Sequence, residues 1–206
     1  MVALSFKFSV HGYMFQEGIK ALEEAFVAAS DALESALAAK QTQLSDYVLL
    51  IEGGGLPIGE WDDDGNRLWD QEEVLAMHIE TTSEAIMALR KSTVIALYHH
   101  WERAIRKSTG VPADGKHSAL IDAAVGEGID ISPRLEAVRC LVNLLKHDNE
   151  RWAKKLRCSW PDVLSDFDGQ SKFNDWYQAV TLSREQVCQV FGIVKTSGPV
   201  ATTRPN

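Results

Sequence analysis

The 206-residue sequence has only three cysteines, Cys140, Cys158 and Cys188, and none belongs to a Cys-x-x-Cys pair. An odd number of scattered cysteines is not the pattern of a disulfide framework or of a zinc knuckle. Cysteine usage therefore indicates a reduced, cytoplasmic protein.

A long hydrophobic run is also missing. No stretch of about eighteen apolar residues occurs in the chain, so we expect no membrane span. The opening segment, MVALSFKFSVHGYMF, lacks a basic leader followed by a long apolar stretch. We therefore expect no secretion signal.

Basic residues are too few to balance the acids, and the formal net charge is −8. This balance argues against nucleic-acid binding driven by total charge. The charges are unevenly distributed, however. Residues 60–73 contain seven acidic residues and one arginine, whereas residues 133–159 contain seven basic and three acidic residues. A solvated helix face is the simplest interpretation of the basic cluster, but the cluster also surrounds the polar motif described below.

Helical periodicity dominates the rest of the chain. Apolar residues recur at intervals of three or four in residues 15–40 and 70–108, which predicts two long helices, the second with a break at 81–83. A short helix is expected at 118–126. A further helix should begin with Ser132 as its N-cap and Pro133 at its first position. The last helix should begin with a capping box.

The sequence therefore predicts an all-α fold, an antiparallel helical bundle with a short N-terminal extended segment within residues 3–13. We expect residues 1–70 to form a helix and a loosely structured, acidic and glycine-rich loop that pack on the bundle. Residues 71–196 should form the bundle core, and residues 197–206 a disordered tail.

One helix of this bundle carries an unusual polar stripe. Arg139, Asn143 and His147 are four residues apart, which places them one turn apart on one helix face. These side chains are costly to bury without partners. The stripe therefore indicates either an internal polar network or a site for an anionic substrate.

The residue types match the needs of metal-independent RNA cleavage. A histidine such as His147 can transfer a proton near neutral pH. An arginine such as Arg139 can stabilise charge on the phosphorane, and an amide such as Asn143 can orient the imidazole or the substrate. Attack of the RNA 2′-hydroxyl on the adjacent phosphate requires no cofactor and no metal. Lys146, Arg151 and Lys154 would hold the RNA backbone.

The pattern Arg139-x3-Asn143-x2-Lys146-His147 resembles the signature helix of HEPN-type domains. The preceding helix, with its Trp101-Glu102 pair, is similar to the family's helix with an aromatic–Glu pair. The resemblance covers roughly residues 80–195. It implies an antiparallel helical bundle, usually dimeric, in which two such motifs face each other and cleave RNA without metal. Active members often serve as toxins or antiviral effectors, which implies RNA, a second copy and an antitoxin as partners.

A second class of function stays open. Active members often have an arginine directly before the asparagine, where this chain has Val142. Other members of the family have lost activity and act as binding or scaffold modules. In that case the acidic loop would be a docking surface for a basic partner.

A purely structural role for the stripe must also be considered. Arg139 would then pair with Glu136 or with Glu102 on the preceding helix, Asn143 would bond to the Glu102 carboxylate, and His147 would stabilise the helix end. A metal site is a further alternative, since His99-x2-Glu102 and His147-x2-Glu150 repeat the same spacing on two helices.

Overall fold

The computed structural model describes residues 7–164 and 175–203. These residues form seven α-helices and two two-stranded antiparallel sheets, so the fold class is an all-α helical bundle, as predicted. The elements in chain order are β1 (Lys7–Phe8), α1 (Val10–Glu52), β2 (Gly59–Trp61), β3 (Arg67–Asp70), α2 (Gln71–Thr109), α3 (His117–Gly126), α4 (Leu135–His147), α5 (Glu150–Ser159), a 3₁₀ turn (Pro161–Val163), α6 (Trp176–Ala179), α7 (Arg184–Thr196) and β4 (Thr202–Thr203). No helix among these residues is long and apolar enough to cross a membrane.

Contacts divide the described chain into two units. The first comprises the residues up to Ala25 and those from Arg90 onward, and the second comprises Phe26–Leu89. The sequence predicts a boundary at residue 70 instead, and this residue lies at the junction of β3 and α2. The observed division therefore differs from the expected one.

The core of the first unit is built from the apolar stripes of its helices. α4 contributes the most regular stripe, with its buried residues recurring at three and four positions so that one side of the helix is wholly apolar. The fully buried side chains in this unit include Trp101, Phe15, Ile19, Leu97, Ile105, Leu120, Leu141, Leu144 and Leu156. Burying one such side chain stabilises the fold by about 1.5–3 kcal/mol before entropy is counted.

The expected disordered tail at 197–206 is wrong for residues 197–203. Thr202 and Thr203 of β4 pair with Phe8 and Lys7 of β1, which also confirms an extended N-terminal segment. Ser197 is fully buried, and its carbonyl accepts a hydrogen bond of 2.6 Å from the indole nitrogen of Trp101. This segment is polar and contains proline, so its sequence alone does not indicate that it is ordered. The residues that order it lie far away in the sequence. Residues 204–206 and 1–6 lie outside the described residues.

The second unit contains the turn region that we expected to be a loose loop. Instead, β2 and β3 form an antiparallel hairpin with an irregularity between Glu60 and Trp61. The Asp62 carboxylate closes the turn by accepting hydrogen bonds from the backbone amides of Asp64 (3.0 Å) and Asn66 (2.7 Å). These bonds satisfy backbone groups that a loose loop would leave to water.

Two helix boundaries also differ from expectation. α2 has no break at 81–83, because the hydroxyls of Thr81, Thr82 and Ser83 donate to carbonyls four residues earlier instead of capping a new helix. α4 begins at Leu135 with Arg134 at the N-cap position, two residues later than predicted. The capping box of α7 is confirmed, since Ser183 and Gln186 each accept a hydrogen bond from the other's backbone amide.

Candidate functional site

α4 carries the polar stripe that the sequence singles out. Its buried apolar side fixes the helix in the first unit, and the stripe lies beside that side. Arg139 and Asn143 are half-buried, whereas His147 is exposed in the last turn. The three residues therefore occupy different depths along one helix.

Arg139 is held by a carboxylate of its own helix. Its Nε and Nη2 atoms each donate a 2.6 Å hydrogen bond to the two carboxylate oxygens of Glu136, in a bidentate arrangement. These hydrogen bonds are the main cause of a lowered pKa for Glu136 and a raised pKa for Arg139. This ion pair between Arg139 and Glu136 is the first of the structural pairings considered from the sequence. The carboxylate partly neutralises the charge of the guanidinium.

Asn143 is engaged by the backbone. Its Nδ2 atom donates a 2.8 Å hydrogen bond to the carbonyl of Arg139, one turn earlier. Among the described side chains, Asn143 does not form the expected hydrogen bond to the Glu102 carboxylate. The amide therefore stabilises α4 locally, and in a single chain it does not orient the imidazole of His147.

His147 is remote from Arg139 along the helix. Eight residues at 1.5 Å per residue separate the two positions by about 12 Å. The guanidinium of Arg139 is moreover bonded to Glu136, on the side of Arg139 away from His147.

Glu102, the expected partner of Arg139, faces another residue of α2. Its carboxylate lies 3.1 Å from Nδ1 of His99, three residues earlier. The pair matches one half of the metal alternative. Among the described residues, however, no group of three or more His, Cys, Asp or Glu side chains is placed to hold a metal ion.

Two residues that the sequence did not single out complete the network around Glu136. The Tyr98 hydroxyl lies 2.9 Å from Nδ1 of His117, and Nε2 of His117 lies 3.7 Å from a Glu136 oxygen. Burial lowers the pKa of His117, with the positive charge of Arg139 adding to the effect. Burial raises the pKa of Tyr98. The phenol therefore keeps its proton and can donate to Nδ1, which leaves the Nε2 proton facing Glu136.

Only a weak sequence signal could have found this pair. Tyr98 lies in the buried stripe of α2 between Leu97 and Trp101, and a buried tyrosine hydroxyl needs a hydrogen-bond partner. Nothing in the sequence indicates that this partner is the first residue of α3.

Three positively charged side chains lie around the ring of Trp152. We call this ring, Arg151, Lys154 and Lys155 of α5, and Lys146 near the end of α4, the basic face. The side-chain nitrogen of Lys155 lies 4.8 Å from the centre of the Trp152 ring, and the guanidinium carbons of Arg139 and Arg151 lie 5.1 and 5.7 Å from it. Lys154 forms an exposed ion pair of 2.8 Å with Glu150. The structure thus places Arg151 and Lys154, two predicted RNA-binding residues, on one helix.

A cleft of about 450 Å³ adjoins the basic face. Its lining includes Lys154, Lys155, Glu136 and Cys140. Burial raises the pKa of the Cys140 thiol to about 11, so the sulfur stays protonated at neutral pH. A protonated, half-enclosed thiol is a poor nucleophile, so Cys140 does not supply one to the cleft.

Comparisons of the chain with known protein families, with curated proteins and with solved structures find no match.

Proposed function

We propose that this protein is a HEPN-like, RNA-directed protein that binds single-stranded RNA on its basic face. The observation that carries the proposal is the gathering of three cations around the Trp152 ring in a chain of net charge −8. Cations that remain clustered in an acidic protein favour a local anionic partner over unspecific attraction.

The residue types on the basic face match those of sequence-tolerant RNA-binding surfaces. Such surfaces combine lysines and arginines that follow the phosphate backbone with an aromatic ring on which a base can stack. Trp152 is half-exposed, while Lys146, Arg151, Lys154 and Lys155 are exposed. The cations can therefore reach phosphates, and part of the Trp152 side chain is accessible beside them.

A binding measurement tests this proposal. We expect Lys146→Gln, Arg151→Gln and Lys154→Gln together to weaken binding of a labelled single-stranded RNA by at least about tenfold in fluorescence anisotropy at low salt. The control is Lys20→Gln, Lys40→Gln and Lys195→Gln, which removes the same charge from α1 and α7. Equal losses in the two triple variants would show unspecific attraction and contradict the proposal.

Metal-independent RNA cleavage is the catalytic form of the proposed function. The exposure of His147 beside Lys146 favours it, because an unburied imidazole at the edge of the basic face can exchange a proton with bound RNA. The enzyme would be a homodimer, in which Arg139 of one copy and His147 of the other act on one phosphate and Asn143 orients them.

Cleavage assays in a chelator separate the catalytic form from the binding form. We expect His147→Ala to reduce cleavage by about a hundredfold or more, since general acid–base catalysis contributes at least that much. The control is His78→Ala, an exposed histidine of α2. Unchanged cleavage in His147→Ala would exclude the catalytic form while leaving RNA binding to be judged by anisotropy.

A non-catalytic scaffold module is the second candidate, and two observations favour it. Arg139 is already paired with Glu136. The hairpin region also exposes a set of large apolar side chains next to the acidic turn, namely Leu56, Ile58, Trp61, Leu68 and Trp69. Such a patch is a typical protein-binding surface, and its acids favour a basic partner, an antitoxin included. Light scattering that shows a dimer, combined with no RNA binding, would support the scaffold.

A further inference from the structure

A second cationic pocket lies in the first unit, between the start of α1 and the end of α2. It has a volume of about 290 Å³. His11, His100, Arg103 and Lys107 form its polar side, and Met14 and Phe15 its apolar side. None of these residues belongs to the basic face, so the pocket is independent of the proposed RNA site.

Two helix stripes with the same spacing form this pocket. Residues 11, 14, 15 and 18 of α1, and residues 100, 103, 104 and 107 of α2, each follow the i, i+3, i+4, i+7 pattern of one helix face. In an ordinary helix pair this pattern carries apolar core residues. Here the α2 stripe instead carries an imidazole, a guanidinium and an ammonium group.

A single glycine, Gly18, shapes the pocket by allowing close approach of the two helices. A Cβ atom at Gly18 would lie 2.3 Å from Cε1 of His100, so the imidazole fits only because residue 18 has no side chain. The ring of His100 stacks on Phe15 with centroids 5.2 Å apart, and its Nε2 donates a 3.0 Å hydrogen bond to the Phe15 carbonyl. The wall made by His100 and Phe15 is therefore fixed before any ligand arrives.

The positive charge of the pocket is not compensated within the described part of the chain. No acidic side chain lines the pocket, and neither Arg103 nor Lys107 forms an ion pair with another described residue. The two are four residues apart, where like charges repel. Lys107 lies in the last turn of α2 and is favoured there by the helix dipole, but Arg103 lies beyond the reach of that effect.

The start of α1 brings no negative charge to the pocket, since its first turn contains no acidic residue. The amides of Gly12 and Tyr13 in this turn already donate to the Ser9 hydroxyl and carbonyl. An apolar wall beside a concentrated positive charge matches a ligand with an anionic head and an apolar or flat body. Arginine and lysine together are the usual partners of phosphate.

We propose that this pocket binds a small phosphomonoester with an apolar or aromatic body, a mononucleotide being the right size. Arg103 and Lys107 hold the phosphate, and the body of the ligand lies against Phe15 and Met14. The pocket volume is at the lower end for small-molecule sites, which favours a ligand of this size.

Calorimetric titration of the full chain with adenosine monophosphate tests the proposal. We expect saturable binding that weakens by at least about tenfold in the double variant Arg103→Gln/Lys107→Gln. The matched control, Lys20→Gln/Lys40→Gln, removes the same charge from positions of α1 outside the pocket and should retain wild-type affinity. A nucleotide affinity that falls in Arg151→Gln/Lys154→Gln and not in Arg103→Gln/Lys107→Gln would place the nucleotide on the basic face and overturn the proposal.

Further variants and ligands test the geometry. Ala104→Phe fills the pocket without removing charge and should abolish binding, with circular dichroism checking that the helices remain. Adenosine and inorganic phosphate should each bind more weakly than the complete nucleotide. The proposal is overturned by absence of saturation up to roughly 1 mM nucleotide, by equal affinity in Arg103→Gln/Lys107→Gln, or by binding of octanoate in preference to the nucleotide.

Discussion

His117 is the residue whose environment departs furthest from what the sequence indicates. Its Nδ1 accepts a hydrogen bond from the Tyr98 hydroxyl, and its Nε2 lies 3.7 Å from a carboxylate oxygen of Glu136. Its lowered pKa means that the imidazole is neutral in the fold at pH 7. Because this neutral imidazole lies between the Tyr98 phenol and the Glu136 carboxylate, protonation of His117 at low pH should destabilise the network around Arg139.

We expect acid to destabilise the protein through this network. The unfolded chain takes up a proton at His117 near the ordinary pKa of 6.5, whereas the folded chain takes it up only at lower pH. The free energy of unfolding should therefore fall as the pH drops below about 6.5. Glu136, with its lowered pKa, adds a second loss as the pH falls below about 4.5.

Urea denaturation at a series of pH values measures this effect. In His117→Gln the fall between about pH 7 and pH 5 should shrink, while the loss below about pH 4.5 should persist. A matched His78→Ala variant should leave the whole profile unchanged. An identical profile in His117→Gln and wild type would show that the imidazole does not govern the acid response.

At the scale of elements, two serines near helix N-termini differ in the hydrogen bonds that their hydroxyls accept. The Ser183 hydroxyl accepts a 3.2 Å hydrogen bond from the Gln186 amide within a complete capping box. The Ser132 hydroxyl accepts only a 3.3 Å bond from Arg134, because α4 begins two residues later.

We expect Ser183→Ala to lower the free energy of unfolding by about 1 kcal/mol, since that is the typical loss of an N-cap. Ser132→Ala should cost less than about 0.5 kcal/mol, because no capping bond is lost. Chemical denaturation of the two variants side by side gives the comparison. Equal losses would mean that Ser132 caps α4 in solution after all.

The same contrast shows how far sequence could predict the elements. Periodicity predicted the central part of each long helix, because an apolar stripe every three or four residues has no other stable arrangement. It missed the parts of α1 outside residues 15–40 and predicted a break in α2 that the structure does not have. The capping box of α7 could be predicted from the sequence because all its parts lie within four residues. The β2–β3 hairpin was not, since its order depends on Asp62 closing the turn and on the Ile58 amide bonding to the hydroxyl of Tyr47.

The candidate site was predictable only in part for a similar reason. The i, i+4 spacing correctly placed Arg139, Asn143 and His147 on one helix face. Spacing alone cannot show which of two carboxylates an arginine chooses. Arg139 pairs with Glu136 rather than with Glu102 because Glu136 lies one turn away on the same helix. Both carboxylate oxygens of Glu136 can therefore accept hydrogen bonds from Arg139 at little entropic cost.

At the scale of the whole molecule, the uneven charge makes a quantitative prediction for RNA binding. If Lys146, Arg151 and Lys154 each contact one phosphate, the logarithm of the association constant should fall with the logarithm of salt concentration with a slope of about −2. The slope is low because only three contacts are counted, each of which contributes about 0.7 for a single strand.

Anisotropy titrations across a salt series test this value. Each of the three cations replaced by glutamine should make the slope shallower by about 0.7. A slope that is much steeper, or one that is insensitive to these substitutions, would place the RNA on a different surface.

The pairing of β1 with β4 has a consequence for how the protein is made. On the ribosome the strand at residues 7–8 emerges early and must wait for residues 202–203, roughly 10 to 40 s later at ordinary synthesis rates. Ser197, the acceptor for the Trp101 indole, emerges equally late. During that interval the nascent chain holds an incomplete core, and this is when it most needs protection from aggregation.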